Sequence, residues 1–184
     1  MSCIIGFGTN SHWTSWLIRK IIRGEYSHSW IELDCDGLGR MALHASSIRV
    51  GMRTVHGVAV VPDFVVHKNY PVKKRYSIDH DLSSGLIWAR SMVGAGYDFG
   101  VIWNGLLLLL LRLTGWKWLE RYVVRNASIV SCSELISSIV RKSRVRGSDI
   151  IDPELTTSSG SNLVTISLET WCAKSGLCKE LEDV

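Results

Sequence analysis

No stretch of this 184-residue sequence is apolar for long enough to cross a bilayer as a helix, which takes about 20 residues. The longest apolar run, residues 106–111, reaches back through Val101 and forward past Arg112 to Leu113, but Asn104, Gly105 and Arg112 interrupt it. Such a run predicts a core helix, with contact at a membrane surface through Arg112, Trp116, Lys117 and Trp118 as its other use. The start, Met1-Ser2-Cys3-Ile4-Ile5-Gly6, has no charged segment ahead of an apolar one, so conventional export is not expected. Five cysteines cannot all pair, and their spacing lacks any CxxC signature. A disulfide framework, a zinc site and a cofactor are therefore not expected, and the cytoplasm or another reducing compartment fits best. Charge of one sign is also scarce, since 21 basic against 17 acidic residues leave only +4. The basic clusters at 68–75 and 141–146 fall short of the aromatic-laced stripe of a nucleic-acid groove, so no nucleic-acid partner is expected. No internal repeat is visible.

What is present is ordinary globular usage, 46% hydrophobic and 21% charged, which predicts one domain over residues 1–184. Cys3-Ile4-Ile5-Gly6-Phe7 reads as a buried strand. Ser11 can cap a helix over 13–23, stopped by Gly24, whose Trp13 and Trp16 read as core or groove wall. Residues 26–33 alternate with period two, a strand on which His28 and Trp30 share a face. Asp34-Cys35-Asp36-Gly37-Leu38-Gly39 is a turn, and 40–46 returns as a hairpin partner carrying His44. A third strand at 53–61 ends at Pro62, with Phe64-Val65-Val66 continuing the pairing beyond a bend. After a basic loop at 68–75, Asp79 or Asp81 opens a helix closed by Gly94-Ala95-Gly96. Residues 100–125 form an apolar helical insertion. A Ser/Thr/Gly loop at 156–162, a strand at 163–168 and a helix over 169–181 complete the chain. The class is α+β, a small antiparallel sheet packed against helices.

Residues 131–146 hold the most specific pattern. From Cys132 the apolar positions Leu135, Ile136, Ile139 and Val140 recur at helical spacing, which turns the thiol inward. Ser131 with Glu134 three residues on is a capping box, so Cys132 sits at the positive end of the helix among free backbone N–H groups. Buried cysteines commonly just pack. A cysteine at a helix N-terminus beside an imidazole, however, has its pKa lowered from about 8.5 into the range of roughly 3.5–7.5 and becomes a nucleophile. His28 and His44, on neighbouring strands, are the candidate imidazoles. His12, His56, His67 and His80 are expected on the surface or in loops.

Taken in order, Tyr26-Ser27-His28-Ser29-Trp30-Ile31, Gly96-Tyr97-Asp98-Phe99, Ser131-Cys132-Ser133-Glu134-Leu135-Ile136 and Asp152-Pro153-Glu154-Leu155 resemble the motifs of the NlpC-type papain-like cysteine hydrolases. The match is to their circularly permuted YaeF/YiiX-like branch, related to lecithin retinol acyltransferase-like proteins, in which the histidine strands precede the nucleophile helix. The resemblance covers about residues 3–155. It implies a permuted papain-like fold with Cys132 as nucleophile, His28 as general base and His44 as the residue orienting it. Ser46, of the same strand parity as His44, is the alternative. Ser27 and Tyr97 are the candidates for substrate contact.

The activity implied is hydrolysis of an amide bond, in a peptide-like substrate such as a cell-wall peptide, through an acyl-enzyme. The backbone N–H of Cys132 would steady the oxyanion. Lipid esters and thioesters suit the same pair of residues, giving an acyl hydrolase or acyltransferase, and a non-enzymatic module for membrane or protein binding is the reading without chemistry. Reaching a cell wall without an export signal would require lysis or a phage particle.

Overall fold

The computed structural model describes residues 3–22, 24–50, 52–97, 114, 129–151 and 167–182. Its strands are β1 (Cys3–Gly8), β2 (His28–Cys35), β3 (Gly39–Val50), β4 (Arg53–Pro62), β5 (Val72–Ile78), β6 (Gly96–Tyr97), β7 (Ile129–Val130) and β8 (Cys178–Glu180). The helices are α1 (Trp13–Ile22), α2 (Asp63–Asn69), α3 (Ser83–Ser91), α4 (Cys132–Lys142) and α5 (Leu168–Lys174). Six strands form one antiparallel sheet in the order β4-β3-β2-β1-β5-β8. The α+β class and the order of histidine strands before the cysteine helix are as the sequence predicts.

Alternation along the strands builds two cores. Ile5 and Phe7 of β1, Ile31 of β2, and Leu43 and Ala45 of β3 share one face with Leu135, Ile136, Ile139 and Val140 of α4. Trp30, Ala42 and Ile48 lie on the other, with Val61 and Val66. On that second face Gly6 has no side chain because the Trp30 indole occupies the space a Cβ would need. The β2–β3 turn carries Gly37 at φ 76° and Gly39 at φ 75°, backbone angles that side chains disfavour.

Three stretches depart from the sequence reading. Residues 64–66 do not extend the sheet; they lie in α2, which starts straight after Pro62, with Asp63 Oδ1 accepting from the Phe64 N–H at 2.6 Å. A helix there buries Val66 in the second core while leaving Phe64 outside. The expected basic loop at 68–75 is divided between the end of α2 and the first half of β5, a strand paired to both β1 and β8. Its charges mask the period of two: Tyr76 and Ile78 turn into the first core, while Arg75 turns to the opposite face and reaches Glu32. The C-terminal helix expected over 169–181 is split. Leu168 opens α5, with the Ser167 side chain accepting from the Thr170 N–H, and after Gly176 at φ 70° the chain returns as β8.

Trp13 and Trp16 are 64% and 54% exposed, neither core nor wall. The side chain that α1 turns inward is Ser15, whose hydroxyl bonds to those of Ser27 and Thr9. The apolar insertion at 100–125 lies outside the described residues apart from Thr114, as do positions 163–166 of the strand expected at 163–168, whose end is instead the cap Ser167 and the first helical residue Leu168. Among the described residues no helix is long and apolar enough to cross a membrane.

Helix α3 fits against α4 through Gly85, whose N–H donates to Ser143 Oγ at 3.0 Å. A methyl group at Gly85 would overlap the Ile139 carbonyl. Gly85→Ala is therefore expected to destabilise the fold by about 2 kcal/mol through overpacking, read as a lowered urea midpoint with an unchanged m-value.

Candidate active site

Cys132 is the first residue of α4 and is 5% exposed. The capping box is complete: Ser131 Oγ accepts from the Glu134 N–H at 3.3 Å, and Glu134 Oε2 accepts from the Ser131 N–H at 3.2 Å. The chain enters this turn from β7, which pairs in parallel with β6 in the register Gly96 to Ile129 and Tyr97 to Val130. Residue 97 is thus placed beside the strand that leads into Cys132; its side chain, and Asp98, lie outside the described residues.

His28 opens β2 and His44 lies within β3; both are buried, 2% and 0% exposed, on the Trp30 side of the sheet. Their rings meet edge to face with centroids 5.8 Å apart. His44 Nδ1 lies 3.0 Å from Ser46 Oγ, so the two alternatives for the orienting residue are partners of one another. Among the described residues His28 Nε2 and His44 Nε2 have no hydrogen-bond partner. Buried polar atoms are ordinarily paired, and two orphans on adjoining imidazoles mark a place where a proton can be taken up or given away.

Burial holds the His28 pKa well below 6.5, and the neighbouring His44 lowers it further. Burial brings His44 down to about 4. Both rings are neutral at pH 7, the form in which an imidazole accepts a proton.

Helix α4 covers the face bearing Ile31, Leu43 and Ala45, opposite to the one carrying His28, His44 and Ser46. The link between Cys132 and this second face is the effect of its charge on Tyr70, and not an effect on the charge of His28, which burial and His44 set. The residue that belongs to both surroundings is Tyr70. Its ring stacks on His28 with centroids 4.1 Å apart and 29° between planes. Its hydroxyl bonds to Ser46, and a charge on Cys132 would act on it directly. Tyr70 falls in the stretch whose sequence reads as a basic loop, and no periodicity singles it out.

Ser27, expected at the substrate, is buried, with its hydroxyl engaged by Ser15 and, at 3.2 Å, by Thr9. That bond set ties α1 to the start of β2 beside His28. His67, expected on the surface or in a loop, instead reaches the buried Glu32, its Nε2 lying 2.9 Å from Oε1. Trp30 Nε1 donates to the same oxygen at 2.9 Å, and Arg75 Nη2 to Oε2 at 2.6 Å. Burial by itself would raise the Glu32 pKa, but the bonds from His67 and Trp30 and the charge of Arg75 bring it below the usual carboxylate value. Among the described residues the one group of three metal-type ligands drawn together is Glu32, Asp63 and His67. Glu32 already has both oxygens bonded to protein donors, so the group is an ion-pair network in its chemistry.

Neither a protein-family model nor a curated protein matches the chain.

The buried histidines set a pH dependence. In the fold His44 stays neutral down to about pH 4, whereas an unfolded histidine takes a proton near 6.5, so between these values the unfolded chain binds the extra proton. Stability is therefore expected to fall as pH is lowered from about 7 to about 4, by about 3 kcal/mol from this residue. In His44→Gln that share of the slope should vanish from urea-unfolding free energies measured across the range.

Proposed function

We propose that this protein is a cysteine hydrolase of the permuted papain-like kind, with Cys132 as nucleophile and His28 as general base, acting on an amide of a peptide-like substrate. The observation that supports this reading is a capped helix end bearing Cys132 together with buried, neutral imidazoles of which His28 is stacked on Tyr70, a residue that a charge on Cys132 also affects. A capped helix N-terminus favours the anionic sulfur, and a neutral imidazole accepts the proton. The ordered His, Tyr-Asp and Cys motifs supply the likeness to the family.

In the reaction the Cys132 thiol gives its proton to His28 and its sulfur bonds to the acyl carbon. The oxyanion so formed accepts a hydrogen bond from the backbone N–H at the start of α4, and its collapse expels the amine, which takes the proton back from His28. Water, deprotonated by His28, then attacks the thioester, and its collapse releases the acid and restores the thiol. His44, bonded to Ser46, lies edge-on beside the His28 ring.

The decisive measurement is the pH dependence of alkylation at each cysteine, read by peptide mass spectrometry, in wild type and in His28→Ala. Cys132 is expected to react faster than Cys3 and Cys35 at pH 7, and to slow by at least about ten-fold in the variant. A Cys132 that is unaffected by His28→Ala would exclude the thiol–imidazole pair. With the pair established, amide and ester panels, assayed with Cys132→Ser as the inactive control, identify the acyl group.

A further inference from the structure

We propose that Tyr70 is a positioning residue of this site, clamping His28 beneath its ring and screening it from water, with Ser46 anchoring its hydroxyl. Its role in chemistry rests on the hydrolase reading; its action on His28 does not.

Tyr70 has little freedom to do otherwise. It directly follows α2 and closes it, its N–H donating to the Val66 carbonyl at 2.7 Å. The helix is itself held at several points. Val66 is buried in the second core, His67 is tied to Glu32 at 2.9 Å, and the Asn69 carbonyl accepts from Asn10 Nδ2 at 3.3 Å. The ring so delivered lies 4.1 Å from that of His28. Tyr70 is half-buried while the imidazole under it is almost wholly so, which places the phenol on the outer side of the stack. Trp30 lies near the same imidazole at 5.9 Å, and His44 meets its edge. Three rings thus fix the plane of His28, and Tyr70 is the one among them that a tether from α2 could lift away.

The hydroxyl makes the clamp specific for tyrosine. It shares a hydrogen bond with Ser46, whose Oγ lies 3.0 Å from His44 Nδ1, so a chain of polar contacts runs from Tyr70 through Ser46 to His44. Burial pushes the phenol up to about 12, so it stays protonated across the working range; the Ser46 bond opposes this and the nearby Cys132 reinforces it. The titratable groups around His28 are His44 from β3, Tyr70 from the end of α2 and Cys132 through its effect on Tyr70. Glu32, His67 and Arg75, farther along the same face, are paired among themselves. Removing the phenol would admit water to His28, and a rehydrated imidazole titrates closer to 6.5.

The experiment follows the histidine ring signals of the full chain by NMR through a pH titration, with Cys132 alkylation at pH 7 measured on the same samples. In Tyr70→Ala the His28 midpoint should move up toward 6.5, and alkylation should nevertheless slow by about ten-fold because the ring, no longer clamped, loses its orientation. In Tyr70→Phe, which keeps the stack and loses the bond to Ser46, the midpoint should stay low while alkylation slows by about five-fold. An unchanged His28 midpoint in Tyr70→Ala overturns the proposal, as does a Tyr70→Phe chain that titrates like Tyr70→Ala. Should Tyr70→Ala not fold, Ser46→Ala cuts the anchor and leaves the ring in place; a His28 signal and an alkylation rate both equal to wild type would then overturn it. If alkylation ignores His28→Ala while the His28 midpoint still follows Tyr70, the hydrolase reading fails and the clamp stands.

Discussion

Strand β2 is buried on both faces, and that constraint organises the molecule. Side chains alternate along a strand, so Ile31 must serve the apolar core under α4 while His28, Trp30 and Glu32 enter the opposite side. Polar groups placed there need partners, because an unpaired buried group is costly. Glu32 is satisfied by Trp30, His67 and Arg75. The histidines are satisfied less completely, His28 Nε2 and His44 Nε2 lacking a partner among the described residues.

The same alternation explains how the candidate site is assembled. Helix α4 lies on the apolar face, and the position of Cys132 at its start is set by the capping box and by the pairing of β6 with β7 just before it. Helix α2 closes the polar face through Val66 and His67 and delivers Tyr70 to the His28 ring. Helix α4 is fixed by buried core side chains along its length, whereas α2 is held by Val66, by His67 at Glu32 and by the Asn69 carbonyl.

Electrostatically the site is built from neutral partners. Two adjoining imidazoles excluded from water cannot both be charged, and burial keeps them unprotonated. Burial makes both imidazoles weak bases, so the charged form of either is disfavoured at neutral pH. The charged groups of this face are gathered instead around Glu32, where Arg75 compensates the carboxylate and His67 hydrogen-bonds to it.

The sequence by itself determined those features that depend on neighbours along the chain. The strand periodicity of 26–33, the capping box at Ser131 and Glu134, the apolar stripe from Leu135 to Val140, and the order of histidine strands before the cysteine helix were all legible, because period and capping are local. Tertiary structure alone decided which polar residues meet. Lys73, Lys74 and Arg75 concealed a strand because Lys73 is exposed and the charges of Lys74 and Arg75 are accommodated by distant partners, Glu169, Glu180 and Glu32. Trp13 and Trp16 are outside because Ser15 is the residue of α1 that finds bonds within. Tyr70 reaches His28, and His67 reaches Glu32, through contacts that span more than thirty positions of sequence. No local pattern encodes such pairings; they follow from the sheet register and from the helix that Pro62 and Asp63 begin, once Val66 has found its place in the core.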